Sequence, residues 1–181
     1  RSSLMERAAG QTAPEALEAS IERLSRVMNF ATSGVCRHRQ LSEYFGQEFF
    51  STLHRLVESP HEKGFIWAGT DDGRIQLSRD HGDSWEDVTP DGMPEWGTVN
   101  AIELSSHSPG RAFAAVHRYR EDDFRPYVYR TDDYGASWDL LTDGTNGIPE
   151  DHFVRVVRED PDRKGLLYAG TEFGMYVSFD D

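Results

Sequence analysis

Between positions 118 and 127 the chain gathers Arg118, Tyr119, Arg120, Glu121, Asp122, Asp123, Arg125 and Tyr127. These residue types supply the parts for cleaving a glycosidic bond. Arginines can hold a substrate carboxylate, a tyrosine beside a glutamate can act as nucleophile, and an aspartate can move a proton; most glycosidases instead use two carboxylates about 5 to 9.5 Å apart. The competing reading is a solvated insertion between two strands, and it is favoured because clustered charges mostly decorate exposed loops. Trp96, after Met93-Pro94-Glu95, offers a ring for stacking on sugar or peptide, although edge packing is the better expectation. The candidate ligand contacts are thus Trp96, Arg125 and Tyr127, and no catalytic residue is expected in this chain alone. His54, His61, His81, His107, His117 and His152 lack metal-ligand spacing. The pairs Asp71-Asp72 and Asp132-Asp133 do not fit a calcium loop, so turn-making is their expected role and no metal or cofactor is expected.

A repeat must position these residues. Ser78-Arg79-Asp80-His81-Gly82-Asp83-Ser84-Trp85 returns as Thr131-Asp132-Asp133-Tyr134-Gly135-Ala136-Ser137-Trp138 and begins again at Ser178-Phe179-Asp180-Asp181. The starts lie 53 and then 47 residues apart. Within each copy the aspartate can fold its carboxylate onto nearby N–H groups, the glycine can supply positive φ, and the tryptophan can bury a ring at the base of the turn. Upstream, Val57-Glu58-Ser59-Pro60 and Gly64-Phe65-Ile66-Trp67-Ala68-Gly69-Thr70 align with Val157 through Pro161 and Gly165-Leu166-Leu167-Tyr168-Ala169-Gly170-Thr171. Ile102-Glu103-Leu104, Pro109-Gly110 and Arg111 through Val116 repeat the grammar between them. Each unit reads as an apolar strand, a Pro/Gly turn, a second apolar strand, a Gly turn, a third strand and the Asp/Gly/Trp turn. Trp67, Phe113 and Tyr168 fall on the second strands and are expected in the core. Such a period predicts a mainly β chain, an incomplete β-propeller of two four-stranded antiparallel blades and part of a third. Because a propeller needs about four to eight blades, a chain with three starts is expected to be a fragment.

The turn pattern resembles the Asp-box, or BNR, motif of sialidases, sortilin-like domains and related glycoside hydrolases. The matching positions are Ser78, Asp80, Gly82, Ser84 and Trp85, then Thr131, Asp133, Gly135, Ser137 and Trp138, then Ser178 and Asp180. In that family the boxes are structural turns, so the resemblance implies a fold and not a reaction. Asp122 through Arg130, and Phe153 through Pro161 with Lys164 through Thr171, carry a likeness to sortilin-like and glycosyl-hydrolase-like propellers over about residues 50 to 181. Members of that group are interaction platforms or hydrolases, and the boxes do not separate these roles.

The first part of the chain is different in kind. Pro14 stands at a helix start and Leu17, Ile21, Leu24 and Met28 recur at helical spacing, predicting a helix over about 14–30. Val35, Leu41, Tyr44 and Phe45 mark a second, which Gly46 can end. Met28 through Gln47 resembles the helical hairpin that opens the zinc-binding subdomain of RecQ-type DNA helicases, with Cys36 at the first ligand position. No second cysteine exists in the chain, so Cys36 is read as a lone remnant and no zinc site is expected. No phosphate-binding G-x-x-x-x-G-K-[ST] loop is present for a helicase motor. The expected division is a helical segment, 1–47, and a propeller piece, 48–181, meeting without a linker near Glu48 through fusion, rearrangement or artefact.

Composition limits the partners. A formal net charge of −13 over 181 residues argues against a broad nucleic-acid-binding face, and no run approaches the roughly 18 apolar residues of a bilayer span. The function expected is a non-catalytic binding or scaffolding module with an unknown protein or carbohydrate ligand. The rivals are a piece of a sialidase- or xyloglucanase-like glycoside hydrolase and a RecQ-derived protein that binds nucleic acid through Arg37 and Arg39. The helicase-like segment points to the cytoplasm and the propeller to the periplasm or cell exterior, so compartment stays open.

Overall fold

A computed structural model describes residues 53–142 and 147–180. The expected helices over about 14–46 lie outside the described residues, as does the junction near Glu48. The chain divides into two compact units, Arg1–Phe49 and Phe50–Asp181. The described residues of the second unit form eleven strands: β1 (Leu53–Glu58), β2 (Ile66–Thr70), β3 (Ile75–Ser78), β4 (Glu86–Asp87), β5 (Thr98–Leu104), β6 (Ala112–Arg118), β7 (Asp123–Thr131), β8 (Asp139–Leu140), β9 (Val154–Glu159), β10 (Leu167–Thr171) and β11 (Met175–Ser178). They form three antiparallel sheets, ordered β1-β2-β3-β4, β5-β6-β7-β8 and β9-β10-β11. Within each sheet the strands pair in sequence order, so each sheet is one repeat unit.

Alternation along β6 explains how the sheets stack. Ala112, Ala114 and Val116 join a core cluster with Trp67, Ile75 and Leu77 of the first sheet, while Phe113 and Ala115 join a second cluster with Val154, Val157 and Leu167 of the third. Successive strand residues point to opposite faces, so a strand apolar at every position is one covered on both sides. Residues 112–116 are all fully buried. Burying a side chain such as Phe113 contributes roughly 1.5–3 kcal/mol, and the middle sheet collects that gain on two faces.

Both complete Asp/Gly/Trp turns have the same bonds. Asp80 accepts from the Ser84 amide at 2.9 Å and the Ser84 hydroxyl at 2.5 Å, and the Ser78 hydroxyl donates to it at 2.8 Å. Asp133 repeats this with Ser137 at 2.9 and 2.6 Å and Thr131 at 2.8 Å. The Ser84 hydroxyl, its amide and the Ser78 hydroxyl hold the Asp80 carboxyl down at about 2. Gly82 and Gly135 take φ of 95° and 84°, as expected, but His81 and Tyr134 before them are also left-handed at 63° and 60°. Two consecutive positive φ values make the turn tighter than a single glycine implies.

One expectation fails at the tryptophans. Trp138 packs against the first sheet, its indole N–H donating to the Val88 carbonyl at 2.8 Å and its ring meeting Trp67 edge-on at 6.1 Å. Trp85 occupies the same place in the first turn yet is 42% exposed. The turn's tryptophan points toward the preceding sheet, and among the described residues no sheet precedes β1. Tyr168 departs from expectation more mildly: it is half-buried, its hydroxyl bonded to Asp160 at 3.0 Å, whereas Trp67 and Phe113 are core.

Candidate functional site

Antiparallel order sorts the connections between the two ends of the strands. The Asp/Gly/Trp turns share one end with the β1–β2, β5–β6 and β9–β10 loops: the His81 amide donates to Gly64 at 3.0 Å and the Tyr134 amide to Gly110 at 2.9 Å. The opposite end carries the starts of β1, β5 and β9, the charged loop after β6, and the connection holding Trp96. All three candidate ligand contacts from the sequence therefore stand at the end away from the turns.

At that end the registers show a feature the sequence reading missed. Pairing shifts between Leu53 and Arg55, between Val99 and Ala101, and beside Val154 and Val156. The bulge residues are His54, Asn100 and Arg155, equivalent positions at the starts of three adjacent edge strands. An extra residue in one strand re-aims its side chain, and here it builds a row. His54 Nε2 lies 3.1 Å from Asn100 Oδ1, and the Asn100 amide donates to the Arg155 carbonyl at 2.5 Å. The Arg155 guanidinium sits 5.0 Å from the ring centres of both Tyr119 and Phe153, which stack on each other at 4.9 Å, and pairs with Glu172. Phe124, 44% exposed, meets Phe153 at 6.2 Å. A planar cation over stacked rings beside amide and imidazole groups suits recognition of a polar, planar backbone or ring.

Beneath the row lies His117, buried and 3.3 Å from Asn100 Oδ1. Burial first, and the Arg155 and Arg120 charges after it, push its pKa down to about 4, so it is a neutral spacer at ordinary pH.

The charged stretch is more ordered than a solvated insertion. Only Tyr119–Glu121 form a 3-10 turn, closed by Asp122 at φ 57°, and β7 begins at Asp123. Asp123 binds Arg125 through two bonds of 2.9 and 2.8 Å and accepts from the Tyr127 hydroxyl at 2.8 Å. The Arg125 guanidinium above all, with the Tyr127 hydroxyl and a backbone amide, holds the Asp123 carboxyl down at about 2. Burial and the Asp123 carboxylate push the Tyr127 phenol up to about 12. Tyr127, expected as a ligand contact, is instead buried in the first core cluster with its hydroxyl spent on Asp123. Arg125 is exposed, its guanidinium 5.4 Å from the Tyr127 ring. Trp96 stands on a separate loop, half-buried at φ 63°. Among the described residues no group of three or more His, Cys, Asp or Glu is placed to hold a metal, and no helix is long and apolar enough to cross a membrane. Cys36 lies outside the described residues.

Known proteins match the two parts separately. A RecQ zinc-binding family model matches residues 1–55. No curated protein matches the chain. Among solved structures, the GH74 xyloglucanase from Xanthomonas campestris superposes with a TM-score of 0.57 at 16% identity, over 75% of this chain and 22% of that one. YCF48 from Cyanidioschyzon merolae gives 0.50 at 19%, over 72% and 34%, and YCF48 bound to D1 peptide gives 0.54 at 17%, over 72% and 37%. These are β-propellers, and the three stacked antiparallel sheets share their fold. The chain spans between about a fifth and two fifths of their length.

Proposed function

We propose that residues 48–181 are propeller blades whose corners are Asp-boxes of the BNR type, and that they bind an extended segment of another protein without catalysing a reaction. The bulge row His54–Asn100–Arg155, backed by Tyr119 and Phe153, carries this reading, because it presents backbone-matching polar groups and a stacked cation at one open end of three strands. A solved neighbour of the same fold is bound to a peptide, which agrees with a protein ligand. Two groups of the charged stretch are ill suited to glycoside cleavage: Asp123, held down at about 2, has no proton to give at neutral pH, and Tyr127, pushed up to about 12, does not ionise there. The test pairs an immobilised array of twelve-residue peptides with a reducing-end assay on xyloglucan, using the full chain. Peptide capture should fall at least tenfold in Arg155→Ala and Asn100→Ala, with no release of reducing ends. Turnover of xyloglucan that disappears in Asp123→Asn would establish the hydrolase instead.

The family match over residues 1–55 favours a second role for the N-terminal part, a RecQ-derived segment joined near Glu48 that contacts DNA. Forked-DNA binding that weakens with salt and vanishes when Arg37 and Arg39 are both changed to alanine supports it; salt-indifferent or absent binding leaves the segment without that role.

A further inference from the structure

Two guanidiniums meet at one phenol beside the bulge row. Arg155 comes from β9 and Arg120 from the 3-10 turn after β6, and their guanidinium carbons lie 5.0 and 5.6 Å from the centre of the Tyr119 ring. The turn itself is fixed: Asp122, at φ 57°, donates its amide to the Tyr119 carbonyl at 3.3 Å. The Arg120 guanidinium above all, and Arg155 after it, hold the Tyr119 phenol below its ordinary value through hydrogen bonding and charge.

The arginines at this end differ in what neutralises them. Asp123 pairs with Arg118 and Arg125, and Glu172 of the β10–β11 turn pairs with Arg155. Among the described residues no carboxylate pairs with Arg120, which is exposed. A chain of net charge −13 has carboxylates in excess, yet here one guanidinium is held beside another without one. Glu172, exposed, meets Arg155 through Nε and a terminal nitrogen, so a carboxylate already fits this guanidinium edge.

The other end of the row sets a second requirement. Asn100 donates through Nδ2 to the Arg155 carbonyl at 2.5 Å, so its Oδ1 accepts from His54 Nε2 at 3.1 Å and from His117 Nε2 at 3.3 Å. An amide oxygen cannot donate, and neutral His54 therefore carries its proton on Nε2 and keeps Nδ1 as an acceptor.

We infer that the row takes an acidic peptide segment: one of its carboxylate side chains bridges Arg120 and Arg155 and accepts from the Tyr119 hydroxyl, displacing Glu172, while a backbone N–H of the segment donates to His54 Nδ1. This rests on the protein-binding reading above and narrows it, by charge, to segments carrying Asp or Glu.

The test prints each twelve-residue peptide of the array twice, once with its acids and once with the corresponding amides, and probes both with the full chain. Captured peptides should contain Asp or Glu, and their amide forms should bind about tenfold more weakly. For one such pair, Arg120→Gln should weaken the acid form about tenfold and Tyr119→Phe about threefold, whereas Glu172→Gln, which removes the internal competitor, should tighten it about threefold and leave the amide form unchanged. Arg120 and Glu172 are exposed, so these variants should keep the wild-type melting transition. In NMR spectra of the full chain the Nε–H signals of Arg120 and Arg155 should shift together as the acid peptide is added. Equal capture of acid and amide forms, still lost in Arg155→Ala, would overturn the carboxylate subsite and leave protein binding standing; no capture of any peptide would overturn both. Weaker acid-peptide binding in Glu172→Gln, or arginine shifts produced by inorganic phosphate and by no acid peptide, would also overturn it.

Discussion

Trp85 and Trp138 are the same residue in the same turn, and their different surroundings separate what a residue type dictates from what a neighbour provides. Trp138 closes the seam between two sheets, so Trp138→Ala should cost about 3 kcal/mol in urea denaturation, whereas Trp85→Ala should cost about 1 kcal/mol or less. Sequence pattern finds both tryptophans but cannot tell which has a preceding sheet to lean on. Something similar holds for Tyr127: its place among charged residues suggested availability, but strand alternation turns it inward with Tyr129. At His117 burial sets a pH dependence. Its folded value of about 4 lies below the ordinary 6.5, so the unfolded chain takes up the proton more readily. Stability from this group is complete above about 6.5 and declines as pH falls toward 4. Melting temperatures measured across that window should drop less steeply in His117→Phe than in the wild type.

Strand order, turn positions and the two-sided burial of β6 follow from apolar runs bounded by Gly and Pro, and these were legible. Three bulges were not. A bulge breaks the period of two that sequence reading relies on, and it is recognised only when a partner strand shows the register slipping. His54, Asn100 and Arg155 could have been flagged by aligning the repeats, since each puts a polar residue at the same place near the start of an otherwise apolar strand. Between the second and third sheets a buried ion pair acts as a lock. Arg111, 4% exposed, lies 3.4 Å from Glu159 Oε1, which also accepts from the Gly165 amide at 3.2 Å. Arg111→Met should lower unfolding free energy by about 3 kcal/mol or more, because it strands a buried carboxylate. Replacing both partners with apolar residues of similar size should recover most of that loss, a comparison that chemical denaturation of the single and double variants makes directly.

For the whole molecule, the repeat predicts sheets that all face the same way round, each offering its Asp/Gly/Trp corner to the sheet before it and leaving its strand starts at the opposite end. Among the described residues, exposed apolar side chains include Leu53, Leu56 and Trp85 on the first sheet and Phe173, Met175 and Val177 on the third. Their counterparts within the middle sheet, where a described sheet lies on either side, are buried or half-buried, as repetition along one direction requires. The most direct measurement of that stacking is an NMR cross-relaxation experiment on the two turn tryptophans. The indole N–H of Trp138 should show a strong contact to Val88 and slow exchange with solvent, while that of Trp85 shows neither to any preceding strand. Rapid exchange of the Trp138 indole, with no contact to Val88, would contradict the stacked-blade arrangement.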